Sequence, residues 1–233
     1  GEPEEAIKMA AHDEQCDLIV VAAQPRQGLE TLVHPRLTPR LEAHAAIPVL
    51  IWPEGIPADA TEGPLAHAGA PVLVPLDGSP YAEEALPLAA SLAREFRRSL
   101  TLVHVVAPGV LAVTSADAAA VAEMEIESDE RVAREYLKGI RHRMAATTGL
   151  PVESMIRMGD PADEFLHLAE SHPGSLIVMS THGRSGLARF FIGSVAGHIV
   201  RRAHVPVLII PPRAVREKAI PQLEQLAVDA VEH

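Results

Sequence analysis

Two short stretches of this chain carry residue types suited to holding a phosphorylated ligand. The first is Val74-Pro75-Leu76-Asp77-Gly78-Ser79, an apolar run that ends in a carboxylate. The second is Met179-Ser180-Thr181-His182-Gly183-Arg184-Ser185-Gly186, and nine residues separate its Gly183 from Gly193-Ser194. Glycine at 183 and 193 leaves no Cβ between the backbone and a phosphate. A helix opening at Gly193-Ser194 would offer free N–H groups, the positive end of its dipole and the Ser194 hydroxyl. A carboxylate at Asp77, facing them, would accept hydrogen bonds from ribose hydroxyls. The competing reading is a Gly-rich turn with a purely structural role.

The chain contains its own control. Residues 1–53 repeat residues 159–211 at a constant offset of 158 positions, without a gap. Gly1-Glu2-Pro3 lines up with Gly159-Asp160-Pro161, Leu18-Ile19-Val20 with Leu176-Ile177-Val178, and Pro48-Val49-Leu50-Ile51 with Pro206-Val207-Leu208-Ile209. Such repeats mark one structural unit. Arg184, Gly186 and Leu187 recur as Arg26, Gly28 and Leu29, which favours turn and packing roles for them. His182-Gly183 becomes Gln24-Pro25, and Gly193-Ser194 becomes Pro35-Arg36. Proline has no N–H to give a phosphate and cannot take a positive φ. Phosphate binding of this kind therefore belongs to the second copy alone, giving one site per chain.

Elements able to position these residues follow from the apolar pattern. Strands are expected at Val72–Leu76, Leu100–Val106, Val152–Arg157, Leu176–Met179 and Val205–Ile210. Ser79 caps, and Pro80 starts, a helix expected to reach about Arg98 with a kink at Pro87. A long charged helix is expected from Asp117 to about Thr148, one capped by Asp160, and one opening at Gly193-Ser194. Strands alternating with helices argue for a parallel sheet with right-handed crossovers. Aromatics are only 3% of the chain, so the core must be Ala, Val, Leu and Ile, as in a buried parallel sheet under Ala-rich helices. In such sheets ligands sit beyond the carboxyl ends of the strands, where the strand order reverses.

Composition excludes several classes. The net charge of −11, without a Lys/Arg block, argues against nucleic acid. Runs such as Leu18–Ala23 and Val205–Ile210 are too short to span a bilayer. The single cysteine, Cys16, excludes an intrachain disulfide and a cysteine zinc site, and fits a reducing, cytoplasmic compartment. The 12 histidines show no His-Glu-x2-His pattern, so no metal site is expected. His104 reads as a satisfied core histidine, Ser185 lacks the spacing of a nucleophile elbow, and the Glu/Arg run from Glu123 to Arg143 reads as a solvated helix face. No general base or nucleophile stands out.

Taken together, residues 71–211 resemble a complete universal stress protein domain, and residues 1–53 resemble the back half of another. The family's nucleotide-binding members carry Gly-x2-Gly-x9-Gly-Ser/Thr after the fourth strand. This chain has Ser180 at the first glycine and matches at Gly183, Gly193 and Ser194. Asp77 falls at the family's adenosine-contacting Asp, and Val106 near its adenine-contacting position. The resemblance implies ATP, with Mg²⁺ alongside the phosphates, held by Pro75, Leu76, Asp77, Val106, Met179, Ser180, His182, Gly183, Arg184, Gly193, Ser194 and Val195. It also implies a five-stranded parallel sheet of order 3-2-1-4-5 with helices on both faces, and it allows slow ATP hydrolysis. Ser180 favours the alternative, a nucleotide-free interaction module that dimerises.

The expected organisation is a partial repeat at 1–53, a Gly/Pro/Ala-rich linker at 54–70, the complete unit at 71–211 and a tail at 212–233 with a short helix interrupted at Pro221. The front copy is too small to bury a core of its own. A start at Gly1 rather than Met suggests residues missing before it. In the order 3-2-1-4-5 the fifth strand is a long apolar edge, which invites pairing. The expected partner is its repeat, so that segments 49–52 and 205–210 make an intrachain pseudo-dimer or a homodimer.

Overall fold

A computed structural model describes residues 3–23, 47–53, 69–107, 116–180 and 193–211. Their apolar runs form one sheet of seven strands. These are β1 (Ile19–Ala23), β2 (Val49–Pro53), β3 (Val72–Pro75), β4 (Leu100–Val106), β5 (Val152–Met158), β6 (Leu176–Ser180) and β7 (Val207–Ile210). The helices are α1 (Pro3–Asp13), α2 (Pro80–Glu83), α3 (Leu86–Glu95), α4 (Ala116–Thr148), α5 (Pro161–Ser171) and α6 (Ser194–Arg202). The linker 54–70 up to Ala68, the loop at 108–115 and the tail from 212 lie outside the described residues, as do His182, Gly183 and Arg184.

The sheet runs β1-β2-β7-β6-β3-β4-β5. Its last five strands, read from β5, are the expected 3-2-1-4-5, and all of their pairings are parallel. The sheet does not end at β7. Strand β2 pairs antiparallel with it through Val49↔Ile209, Leu50↔Leu208 and Ile51↔Val207. Each of these pairs maps onto another, or onto itself, under the repeat offset, so a pseudo-twofold axis passes between Leu50 and Leu208.

The offset of 158 positions read from the sequence recurs in the elements and their pairing. Helix α1 is α5 moved back by the repeat offset, with both bounds preserved. Strands β1 and β2 pair in the register of β6 and β7, with Ile19↔Val49 repeating Ile177↔Val207. Even the entering hydrogen bond recurs: Ile19 N donates to Pro48 O and Ile177 N to Pro206 O, both at 3.0 Å.

Two apolar layers flank the sheet. On one face α1, α5 and α6 pack Phe165, Leu166, Ala196 and Ile199 against Leu73, Ile177 and Val207, and the front copy adds Ile19, Val49 and Ile51 to this layer. On the other, α2, α3 and α4 pack Ala82, Ala89, Ala93, Leu137 and Ile140 against Val72, Leu102 and Val178. Small alanines let α3 lie close to the strands, so the near absence of aromatics costs no packing. Each fully buried Leu or Ile contributes about 1.5–3 kcal/mol. Among the described residues, the buried ones of the front segment (Ile19, Val49, Leu50 and Ile51) all belong to these two layers, which continue across the β2–β7 seam.

Two sequence expectations need correction. The first helix does not run kinked from Pro80 to Arg98. It stops at Glu83 and restarts at Leu86, with Pro87 in the new first turn. A proline ring clashes with the carbonyl four residues earlier, here that of Glu83, whereas in a first turn its missing N–H is no loss. The fifth strand starts at Val207 rather than Val205, because Pro206 has no N–H for the ladder.

Candidate functional site

The chain runs from β3 to β4 and β5 on one side and to β6 and β7 on the other. The strand order therefore reverses between β3 and β6, and both end on the same rim. Pro75, Leu76 and Asp77 lie at the end of β3, Val106 at the end of β4, and Met179 and Ser180 at the end of β6. The crossover from β6 to parallel β7 brings the start of α6, with Gly193, Ser194 and Val195, back from this rim.

Asp77 is held by its own turn. Leu76 N still donates to Val103 O at 2.9 Å, so the sheet carries the chain up to the carboxylate. Oδ1 of half-buried Asp77 accepts from Ser79 N at 2.9 Å, an Asx turn that fixes the side chain against the backbone. Gly78 between them has φ +85°, where a Cβ would be strained. Ser79 caps α2, its Oγ accepting from Ala82 N at 3.2 Å, and Pro80 follows. Helix α2 packs onto β6, so the Asp77 turn and the β6 terminus are neighbours.

Strand β6 is buried along its whole length. Leu176 and Val178 belong to the α2–α4 layer, Ile177 and Met179 to the opposite one. Alternation puts the Ser180 side chain on the α2 side. Ser180 is 7% exposed, and its Oγ has no hydrogen-bond partner among the described residues. An unsatisfied buried hydroxyl costs about 1–3 kcal/mol.

Gly193 is the N-cap of α6, with φ −55° and ψ 152°, and being glycine it brings no side chain of its own to that turn. Its carbonyl closes the turn by accepting from Gly197 N at 2.8 Å. Ser194 is exposed, while Val195 packs against the α5–α6 layer. A helix start of this kind can offer its first-turn N–H groups and its dipole to an anion. At the β4 end, the carbonyl of buried Val106 accepts from Gly159 N at 3.1 Å. Gly159 has φ +140°, and a Cβ there would come within 3.2 Å of the Glu164 side chain.

Sequence reasoning missed a polar cluster beside Asp77. The Tyr136 hydroxyl donates to Glu83 Oε1 at 3.2 Å, and Arg143 pairs with Glu83 Oε2. Tyr136 meets His104 edge-on, with ring centroids 6.2 Å apart. Burial lifts the Tyr136 phenol well above its ordinary range, Glu83 adds to this by charge and hydrogen bond, and the Asp77 charge adds more. Most of the Glu123–Arg143 run is solvated as expected, but its C-terminal end grips α2 across the layer. The readable signal was Tyr136, Ile140 and Arg143 at i, i+4 and i+7, one helix face shared by polar and apolar residues.

The rim therefore combines a fixed carboxylate, a buried hydroxyl without a partner among the described residues and a glycine-capped helix start, which together can hold an anionic ligand that also carries hydroxyls. Among the described residues no cluster of three His, Cys, Asp or Glu could hold a metal ion, and no helix is long and apolar enough to cross a membrane. Cys16 is exposed and free.

Comparison with known proteins agrees with this architecture. A universal stress protein of Methanocaldococcus jannaschii is 33% identical over 136 residues, 58% of this chain and 78% of its own length. YxiE of Bacillus subtilis, also a universal stress protein, is 32% identical over 139 residues, 58% of this chain and 94% of its own. A solved universal stress protein from Archaeoglobus fulgidus shares the fold with a TM-score of 0.62 at 20% identity, covering 91% of this chain and 67% of that one. Residues 70–211, more than half of the chain, match the model of the Universal stress protein family, and the chain belongs to that family.

Proposed function

We propose that the chain is a cytoplasmic stress-response regulator that binds an adenine nucleotide, ATP for preference, at one site on the β3–β6 rim of a domain spanning residues 71–211. The observation that carries this reading is the adjacency of the Asp77 turn and the β6 end at the point where the strand order reverses. Asp77 accepts from the ribose, and Pro75, Leu76, Val106 and Met179 supply apolar contact for the nucleoside. The phosphates lie on the N–H groups of Gly193, Ser194 and Val195, with His182, Gly183 and Arg184 completing the loop. Mg²⁺ would ride on the phosphate oxygens, neutralising their charge, with water completing its shell. The role is chiefly binding, with slow ATP hydrolysis allowed by the family resemblance. The alternative, a nucleotide-free dimerising module, rests on Ser180 standing where nucleotide-binding relatives have glycine.

The test is direct. Purified protein is extracted and searched by mass spectrometry for adenine nucleotide, then titrated calorimetrically with ATP and Mg²⁺. Micromolar to sub-millimolar binding supports the reading, and no heat up to several millimolar ATP refutes it in favour of the interaction module.

A further inference from the structure

We propose that Ser180 reads the sugar of the bound nucleotide: its hydroxyl takes its missing hydrogen bond from a ribose hydroxyl. This rests on the nucleotide reading above and specifies which part of the ligand β6 contacts. Buried hydroxyls are nearly always paired, yet Ser180 Oγ is buried without a partner among the described residues. Ser175 Oγ shares that property, but it lies just before β6, at the opposite rim. The location at the strand reversal, and not the orphaned hydroxyl alone, therefore carries the inference.

Charge decides which part of the ligand comes here. Ser180 points toward the layer of α2, the helix that follows the Asp77 turn and packs on β6. A carboxylate beside it repels phosphate, and the glycine-capped start of α6 offers phosphate a better place. The neutral, hydroxyl-bearing part of the nucleotide is left for the Asp77 and Ser180 side. A serine hydroxyl both donates and accepts, as a ribose hydroxyl does, so the two can pair in either sense. In the front copy the same place, paired with Trp52 as Ser180 is with Ile210, holds Ala22. The hydroxyl is missing there together with the phosphate loop.

Wild type, Ser180→Ala and Ser180→Cys are compared by calorimetry with ATP, 2′-deoxy-ATP and 3′-deoxy-ATP, and by thermal melting without ligand. One deoxy analogue should bind wild type about 5–10-fold more weakly than ATP, the effect of one lost hydrogen bond. Because Asp77 also contacts the ribose, both variants should bind ATP more weakly by the same factor and narrow that discrimination by it rather than abolish it. Ser180→Ala should also melt at least about 2–4 °C higher without ligand, because a desolvated hydroxyl without a partner among the described residues is gone. Variants that bind ATP like wild type, or that discriminate both deoxy analogues from ATP as fully as wild type does, overturn the proposal while leaving the nucleotide site standing. A wild type that binds no ATP overturns both.

Discussion

Val20 and Val178 are the same residue at the same place in two copies of one unit. Each pairs with a leucine, Leu50 or Leu208, in matching registers. Yet Val20 is 59% exposed and Val178 is 0% exposed. The difference is the layer above them. Val178 lies under α2, α3 and α4, whereas no described element of the front copy covers the equivalent face. The same contrast governs chemistry: Ser180 is buried at a strand end beside the Asp77 turn, and its equivalent Ala22 is exposed on the outermost strand. Sequence identity at a position thus fixes the strand, while the surrounding layer decides whether that position can serve as core or site.

Substitutions in one half or the other put this contrast to the test. The largest effect is expected from Gly193→Pro, which writes the front copy's Pro35 into the second copy. The native φ of −55° suits proline, so the fold should persist by circular dichroism. The lost N–H and the stiffened loop should weaken ATP binding at least ~100-fold by calorimetry. Next is the valine pair. Val178→Ala should cost about 2–3 kcal/mol in denaturant unfolding, and Val20→Ala no more than about 0.5. Equal costs would show that the front face is covered after all.

Asp77→Ala should weaken ATP binding about 10-fold, the worth of a charge-assisted hydrogen bond. Because it also removes the Asx turn, a melting curve should accompany the titration. The smallest effect concerns Tyr136. Its folded phenol titrates above the unfolded value of about 10. Between those values the unfolded chain has lost a proton that the folded chain keeps, so stability falls as pH rises above about 10. Tyr136→Phe should flatten that alkaline fall, at a cost near neutrality of about 1 kcal/mol for the bond to Glu83. An unchanged alkaline slope would sink the assignment.

Much of this was readable because the relevant signals are local. The apolar runs gave the strands, Ser79-Pro80 declared a capped helix, and the repeat made Val49–Ile51 the natural mate of Val207–Ile209; the Asx turn of Asp77 emerged only in the structure. What sequence did not disclose depends on distance. Pro87 sits amid helix formers, and only its placement relative to Glu83 decides between a kink and a restart. The grip of Tyr136 and Arg143 on Glu83 joins positions 53 and 60 residues apart, which no periodicity encodes. That Ser180 lacks a partner could not be known until its neighbours were placed. Arg98 is similar: 2% exposed, it reaches across the sheet floor to donate to Gly174 O at 2.9 Å, and desolvation lowers its pKa.

The antiparallel meeting of β2 and β7 gives the two copies opposite polarity. The carboxyl ends of β1 and β2 point to the rim away from Asp77. A phosphate loop restored to the front copy would therefore open on the far side of the sheet, facing a different solvent hemisphere. No single ligand could bridge the two halves. The seam at Leu50 and Leu208 therefore joins two halves that face opposite ways, while the apolar layer runs unbroken beneath both.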